Sequence, residues 1–263
     1  MPTTPLDALP IWAVYLLLVL LGFLAIEAGY RIGRYWVKRG QGPERPKENI
    51  DALMGSTLAL LAFLLVFMIG IATNRYDRRR ELVVREANAI GTTYLRAGYL
   101  DEPYRTDLRE RLREYTGIRL AAAADAGNLD PHRSRADALL VELWGQAEAL
   151  ARAYPDSEMA ALFIESLNSV IDLHAERMVV VAMRIALGSW LAVLFVAFLA
   201  LGMVGLDIGL SDRYNPLAQL VIVLVFAAVL LLIVDLDRPR EGLLQVGQQA
   251  LIDLQQQIQA IGP

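Results

Sequence analysis

The chain has 263 residues, of which 56% are apolar and 21% charged, with no cysteine, two histidines and a formal charge of -4. Its charges are bunched between long apolar runs, which points to an integral membrane protein rather than one soluble domain. The missing cysteines exclude a disulfide framework, thiolate metal sites and a cysteine nucleophile; the acidic balance disfavours nucleic acid as a partner. Lysine occurs only at Lys38 and Lys47, so the basic residues are almost all arginine, a mark of a GC-rich genome.

A bilayer span needs about 20 apolar residues. Four stretches qualify: Leu9 to Tyr30, Ala52 to Thr73, Ile185 to Leu206 and Leu217 to Val234. The first is no cleavable signal peptide, because no basic residue precedes it and no small-residue cleavage site follows. Residues 31–51 and 207–216 join the spans into two hairpins. Near the end of the first span stands Glu27, with Arg31 one turn on. Glutamate followed by arginine at i+4 pairs well on a helix, so this membrane-embedded acid reads as a snorkelling interfacial pair first and as a pathway residue second.

The second span runs without a break from FLLVFMIGIATN into RYDRRREL. Phe63, Phe67, Ile71 and Arg75 form one i, i+4 row, and Gly55, Ala59, Ala62 and Gly70 permit close helix approach. If several copies of this helix met around an axis, Phe63, Phe67, Gly70 and Ile71 would make an apolar neck. Asn74 would form its mouth, and an arginine-rich vestibule would lie beyond. Apolar constrictions gate by dewetting, and rings of arginine favour anions. The bland alternative is a lipid-facing row of phenylalanines with an ordinary basic flank.

The insert between the hairpins, residues 75–184, reads helical throughout. Its first helix continues the second span to about Gly98. LDEP, with Asp101 as cap, opens a second, near Pro103 to Ala123, with Leu108, Leu112 and Tyr115 on one face. DAGNLDPHRS reads as a loop. A third runs near Arg135 to Tyr154, with Leu139, Leu140, Leu143, Ala147 and Leu150 aligned. YPDSE caps a fourth through Asp156 or Ser157; it carries Leu162, Ile164, Leu167 and Ile171 and is expected to run straight into the third span. Beyond the fourth span, Arg238-Pro239-Arg240 should break the helix. A last one follows, with Leu244, Leu251 and Ile258 seven apart, as are Leu254 and Ile261, for docking on the chain's own helices or on another subunit.

The organisation is thus a first transmembrane hairpin (1–74), a soluble helical insert (75–184), a second hairpin (185–234) and a C-terminal amphipathic helix (235–263): an all-α integral membrane protein. The positive-inside rule is divided. Arg31, Arg34, Lys38, Arg39, Arg45 and Lys47 crowd the first hairpin. Arg75, Arg78, Arg79, Arg80, Arg85, Arg177, Arg184, Arg238 and Arg240 crowd the other side. No nucleophile–base pair, metal set or cofactor loop is visible, so no enzyme and no cofactor is expected. His132 lies in a polar turn and His174 on an amphipathic helix, the ordinary settings of structural or solvated histidines.

GSTLALLAFLLVFMIGIATNRYDRRRELVVREANAI is similar to the second-helix region of bacterial bestrophins, where a membrane helix runs into a Tyr-Asp-Arg-Trp-Trp-Glu-type motif. Here Tyr76, Asp77, Arg78 and Glu81 stand in it, with Arg79 and Arg80 in place of the tryptophans. More closely, RYDRRRELVVREANAIGTTYLRAGYLDEPYR and VDLDRPREGLL resemble the two signature blocks of the bacterial bestrophin-like membrane family, and the resemblance covers nearly the full length. It implies a homo-oligomeric ion channel, a pentamer as in bestrophins, with a pore lined by the second helix and the insert on the cytoplasmic side of a bacterial inner membrane. Its partners would be the lipid bilayer and inorganic ions. Arg75, Arg78, Arg79, Asp235 and Asp237 would supply vestibule charge. Animal bestrophins bind calcium through an acidic cluster after the last span; Asp235, Asp237 and Glu241 amid two arginines are a poor match, and no metal is expected. Two other membrane readings stand beside it: a non-conducting sensor or scaffold, and a stator-like proton-driven subunit. The latter needs prolines in its later spans, where this chain has only Pro216.

Overall fold

The computed structural model describes residues 9–39, 47–125, 129–211, 215–238 and 242–262. Arg45, Pro239, Arg240 and Glu241 lie outside them. Among the described residues the chain is all helical: α1 (Ile11–Lys38), α2 (Lys47–Ala97), α3 (Tyr104–Ala124), α4 (Leu129–Ala153), α5 (Glu158–Ala182), α6 (Leu187–Ser211), α7 (Pro216–Asp237) and α8 (Gln249–Ile261). It divides into two compact units. One comprises residues 1–75 and 184–244, the other residues 76–183 and 245–263.

The first unit holds the four segments long and apolar enough to cross a membrane. They form helices because every backbone N–H and C=O must find an internal partner in hydrocarbon. Ala25 and Ile26 of α1, Leu201 of α6 and Val223 of α7 make a buried cluster, flanked by Val19, Phe23, Ile222 and Phe226. Lipid tails are as apolar as these side chains, so close backbone approach, not water exclusion, holds such helices together. The approach is extreme between α1 and α6. A Cβ placed on Gly29 would lie 1.9 Å from the carbonyl oxygen of Gly202, and one on Gly205 would lie 2.0 Å from that of Ile26. Gly33 and Gly209 are similarly closed, at 2.7 Å from the Leu206 oxygen and 2.5 Å from the Tyr30 oxygen. By contrast Gly55 and Gly70 of α2, the small residues the sequence singles out for close approach, have nothing within 4 Å.

The second unit contains α3, α4, α5, α8 and the C-terminal half of α2. Its core joins Val83, Ala87, Ile90 and Tyr94 to Leu108, Leu112 and Tyr115, to the row Ala136, Leu139, Leu140, Leu143, Ala147 and Leu150, and to Phe163, Leu167 and Val170. Burying each large side chain contributes roughly 1.5–3 kcal/mol. α8 closes this core with Leu251, Leu254 and Ile258, so the predicted seam docks on the chain's own helices. Leu244 precedes the helix and is exposed, as is Ile261.

Several local expectations need correction. α5 does not run into the third span: it ends at Ala182, Met183 is extended (φ -68, ψ 129), and α6 begins at Leu187. No glycine or proline marks the break. It is held by side chains, because the Met183 oxygen accepts from Arg79 Nη2 at 3.3 Å and the Ile185 N–H donates to the Asp237 carboxylate at 3.0 Å. α4 starts at Leu129, so residues 129–134 of the predicted loop are helical. α3 has Pro103 at its cap with no side-chain cap bond; Glu102 rather than Asp101 accepts the free N–H of Thr106, at 3.3 Å. The buried row of α5 is Phe163, Ser166, Leu167, Val170, Leu173 and His174, leaving Leu162 exposed. Ser157 caps α5 as expected, accepting from Ala160 N at 3.2 Å.

Candidate functional site

The membrane half of α2 has two opposite faces. Leu61, Leu65, Met68 and Ala72 are buried. On the other side of the helix, Phe63 is 68% exposed, Val66 69% and Phe67 60%, and Gly70, Thr73 and Asn74 are exposed with them. At 3.6 residues per turn this outer row lies diametrically across from the buried one. Ile71 is half-buried at its edge. The predicted neck residues therefore share a face that the chain itself leaves uncovered, apolar above and ending in threonine and asparagine.

The charged residues named with them have different settings. Arg75 pairs with Asp237 at 3.5 Å. Arg78 bridges Glu81, at 3.0 Å, and Glu176. Arg79 is buried and serves the helix break. Asp237 is buried too; besides the Ile185 N–H it faces Arg75, while Arg184 donates to its backbone oxygen at 2.7 Å. Asp235, also buried, accepts the backbone N–H groups of Leu243 at 2.8 Å and Leu244 at 3.0 Å. That turn needs Gly242, whose φ of +147° and whose missing Cβ, 2.0 Å from Asp235 Oδ1, admit no other residue comfortably. Glu27 accepts from Arg31 Nε at 2.7 Å, the predicted i, i+4 pair.

A second constellation lies outside the predicted site residues. Glu86 of α2 is fully buried and meets Arg119 Nε of α3 at 2.9 Å and Arg177 of α5. Tyr115 lies 3.0 Å from Glu86 Oε1 and 2.8 Å from His174 Nδ1, and His174 Nε2 lies 2.8 Å from Asp137 Oδ1. Arg177 also donates to the Gln248 side chain at 3.0 Å. Burial pushes the Glu86 carboxyl up, but Arg119 and Arg177 together hold it below the ordinary carboxylate range. Burial and then Glu86 raise the Tyr115 phenol well above its usual value. Burial, then Arg119, lower the His174 imidazole, and burial lowers Arg177. One signal in the sequence does mark this cluster: Glu86, Arg119 and Arg177 continue apolar helical rows, Arg119 following Leu108, Leu112 and Tyr115.

Comparison with known proteins fits this architecture. The family model described as Bestrophin-like domain matches residues 29–251. A bacterial Bestrophin homolog from Klebsiella pneumoniae, solved as a point mutant, superposes with a TM-score of 0.68 at 15% identity over 96% of this chain and 99% of that one. The structure of that homolog from zinc phasing gives 0.67 at 15% identity over 95% and 98%. A structure described as a membrane protein variant gives 0.70 at 14% identity over 96% and 99%. At such identities the likeness shows the fold. A search of curated proteins finds no match. The family match runs from Gly29, in the glycine crossing of α1, to Leu251, the first docking residue of α8, and the chain belongs to the Bestrophin-like family.

Proposed function

We propose that the protein is an oligomeric ion channel of a bacterial inner membrane, with α2 lining the pore. The observation that carries this reading is the uncovered α2 face. Phe63, Phe67, Gly70 and Ile71 lie on or beside it, with Thr73 and Asn74 at its end. A glycine and a polar end stand in line with the phenylalanines of this face. Around an axis the same row forms an apolar neck with a polar mouth, which conducts when wetted. Family membership supports the reading, since bestrophins are pentameric channels with the second helix at the pore; five copies and a cytoplasmic second unit follow by the same resemblance. Arg75 and Arg78, both half-buried, supply vestibule charge, whereas Arg79, Asp235 and Asp237 hold the backbone.

The test is ion flux from liposomes containing the purified protein, with Phe67→Ala alongside. Removing the ring widens and wets the neck, so flux rises in the variant. No flux from either protein across a range of salts and pH would overturn the channel reading in favour of a non-conducting scaffold.

A further inference from the structure

Within the second unit, Glu86, Tyr115, His174 and Asp137 stand in a line whose hydrogen atoms do not suffice. The three contacts measure 3.0, 2.8 and 2.8 Å, all hydrogen-bond distances, and each requires one hydrogen. Both ends are carboxylates, which only accept when ionised. Tyr115 brings one hydrogen and a neutral imidazole brings one. Two hydrogens must serve three contacts. With the hydrogen on Nε2, His174 donates to Asp137 and accepts from Tyr115, and the oxygens of Tyr115 and Glu86 then face each other with none between. With the hydrogen on Nδ1, Tyr115 donates to Glu86, and the Nε2 lone pair meets the Asp137 carboxylate. With both carboxylates ionised, only an imidazolium satisfies all three.

We propose that this line is a proton-binding site: His174 takes one proton from solution and thereby completes a hydrogen-bonded tie across α2, α3, α4 and α5. Each of those helices contributes one member, so the added hydrogen closes a connection that neutral histidine leaves open. Asp137 provides the route, because its side chain is 51% exposed while that of His174 is 6% exposed.

The charges around the ring come from every element packed on it. Glu86 faces it from α2 and Arg119 from α3. Asp137 lies on α4, with Arg133 Nε at 3.7 Å from its other oxygen. Arg177 follows one turn later on α5 itself, steadied by Gln248 ahead of α8. The two carboxylates and the two buried guanidiniums cancel, so the proton leaves the cluster with one positive charge. Asp137 and Glu86 favour it; burial and Arg119 oppose it and delay uptake to acidity below the ordinary histidine range. The site therefore stands empty at neutral pH and fills on acidification below the ordinary histidine range. One member, Glu86, lies on the same helix as the candidate neck, yet the test reads protonation and not flux.

The experiment is solid-state NMR of the full chain in lipid, labelled with 15N-histidine. The sequence has only two histidines, so His132→Gln leaves a single ring to observe. On titration from about pH 8 downward, one nitrogen is expected to be protonated at the alkaline end and both at the acid end, in one step, with α-helical circular dichroism unchanged. Asp137→Asn should lower the midpoint by roughly one pH unit, as loss of an adjacent opposite charge does. Arg133→Gln, an exposed change that leaves Asp137 unshared, should raise it. A ring that takes up no proton in the folded protein overturns the proposal. So does a midpoint at the free-histidine value that neither variant moves.

Discussion

Gly29→Ala adds a single methyl group and should nonetheless destabilise the protein severely. The new Cβ would sit 1.9 Å from the Gly202 oxygen and 2.8 Å from the Gly202 carbonyl carbon and the Leu206 nitrogen. Ordinary contact begins near 3.4 Å, so α1 and α6 would have to part by about 1.5 Å at this point. The obstacles are backbone atoms, and no rotamer change relieves them. A gap of 0.5–1 Å already forfeits about a quarter to a half of each dispersion contact along the seam. Overpacking commonly costs about 1–3 kcal/mol when side chains can adjust; with backbone on both sides, the upper end, about 3 kcal/mol, is expected. Gly205→Ala should behave alike, its Cβ meeting the Ile26 oxygen at 2.0 Å. Gly55→Ala, with nothing within 4 Å, should be neutral or gain up to about 1 kcal/mol of helix propensity. Thermal unfolding in detergent, followed by loss of the monodisperse chromatographic peak, compares the three variants with the parent. A Gly29→Ala protein as stable as Gly55→Ala would refute the reasoning.

Other substitutions probe the buried polar groups. Glu86→Gln leaves Arg119 and Arg177 without their anion and should cost about 3–5 kcal/mol; an unfolding midpoint within error of the parent would contradict the pairing. Asp235→Ala removes two charge-assisted bonds to Leu243 and Leu244 and should cost about 3 kcal/mol, visible as easier protease cleavage after α7; unchanged cleavage would refute it. Stability should also depend on pH. The His174 imidazole is depressed below 6.5, so the unfolded chain takes up this proton first. Stability is full above that value, falls as pH drops below it, and levels off once the folded ring protonates. Below 4.5 it falls again, because folded Glu86 stays ionised while unfolded Glu86 protonates. Unfolding midpoints across pH check this, with His174→Gln removing the first decline alone; a midpoint that rises on acidification through the first window would contradict the sign.

The apolar runs made the four spans legible, because hydrocarbon leaves a crossing segment no other conformation. Ser157, the aligned leucines of α4 and the Leu251–Ile258 seam were legible for the same reason: local chemistry and helical spacing agree there. The break after Ala182 was not. It carries no glycine or proline, and the groups that hold it, Arg79 and Asp237, are distant in sequence. The glycine crossing is not legible because Gly29, Gly33, Gly202, Gly205 and Gly209 sit in two runs whose pairing no single-helix pattern shows, while Gly55 and Gly70, equally conspicuous, have no close neighbour among the described residues. Glu86 stands beside Arg85 in a charged stretch where a buried carboxylate looks like any solvated one. The proposed neck row could be placed on one helix face, yet the role proposed for it would need other copies of the chain.

The placement of α8 also governs the order in which the protein can be made. Its leucines enter a core formed by residues 76–183, but they are synthesised only after α6 and α7. During translation the helices before Met183 must wait, with their apolar docking face open, while two further membrane crossings are produced. A ribosome that stalls before residue 249 therefore leaves a chain with the four described spans synthesised and its second core unsealed.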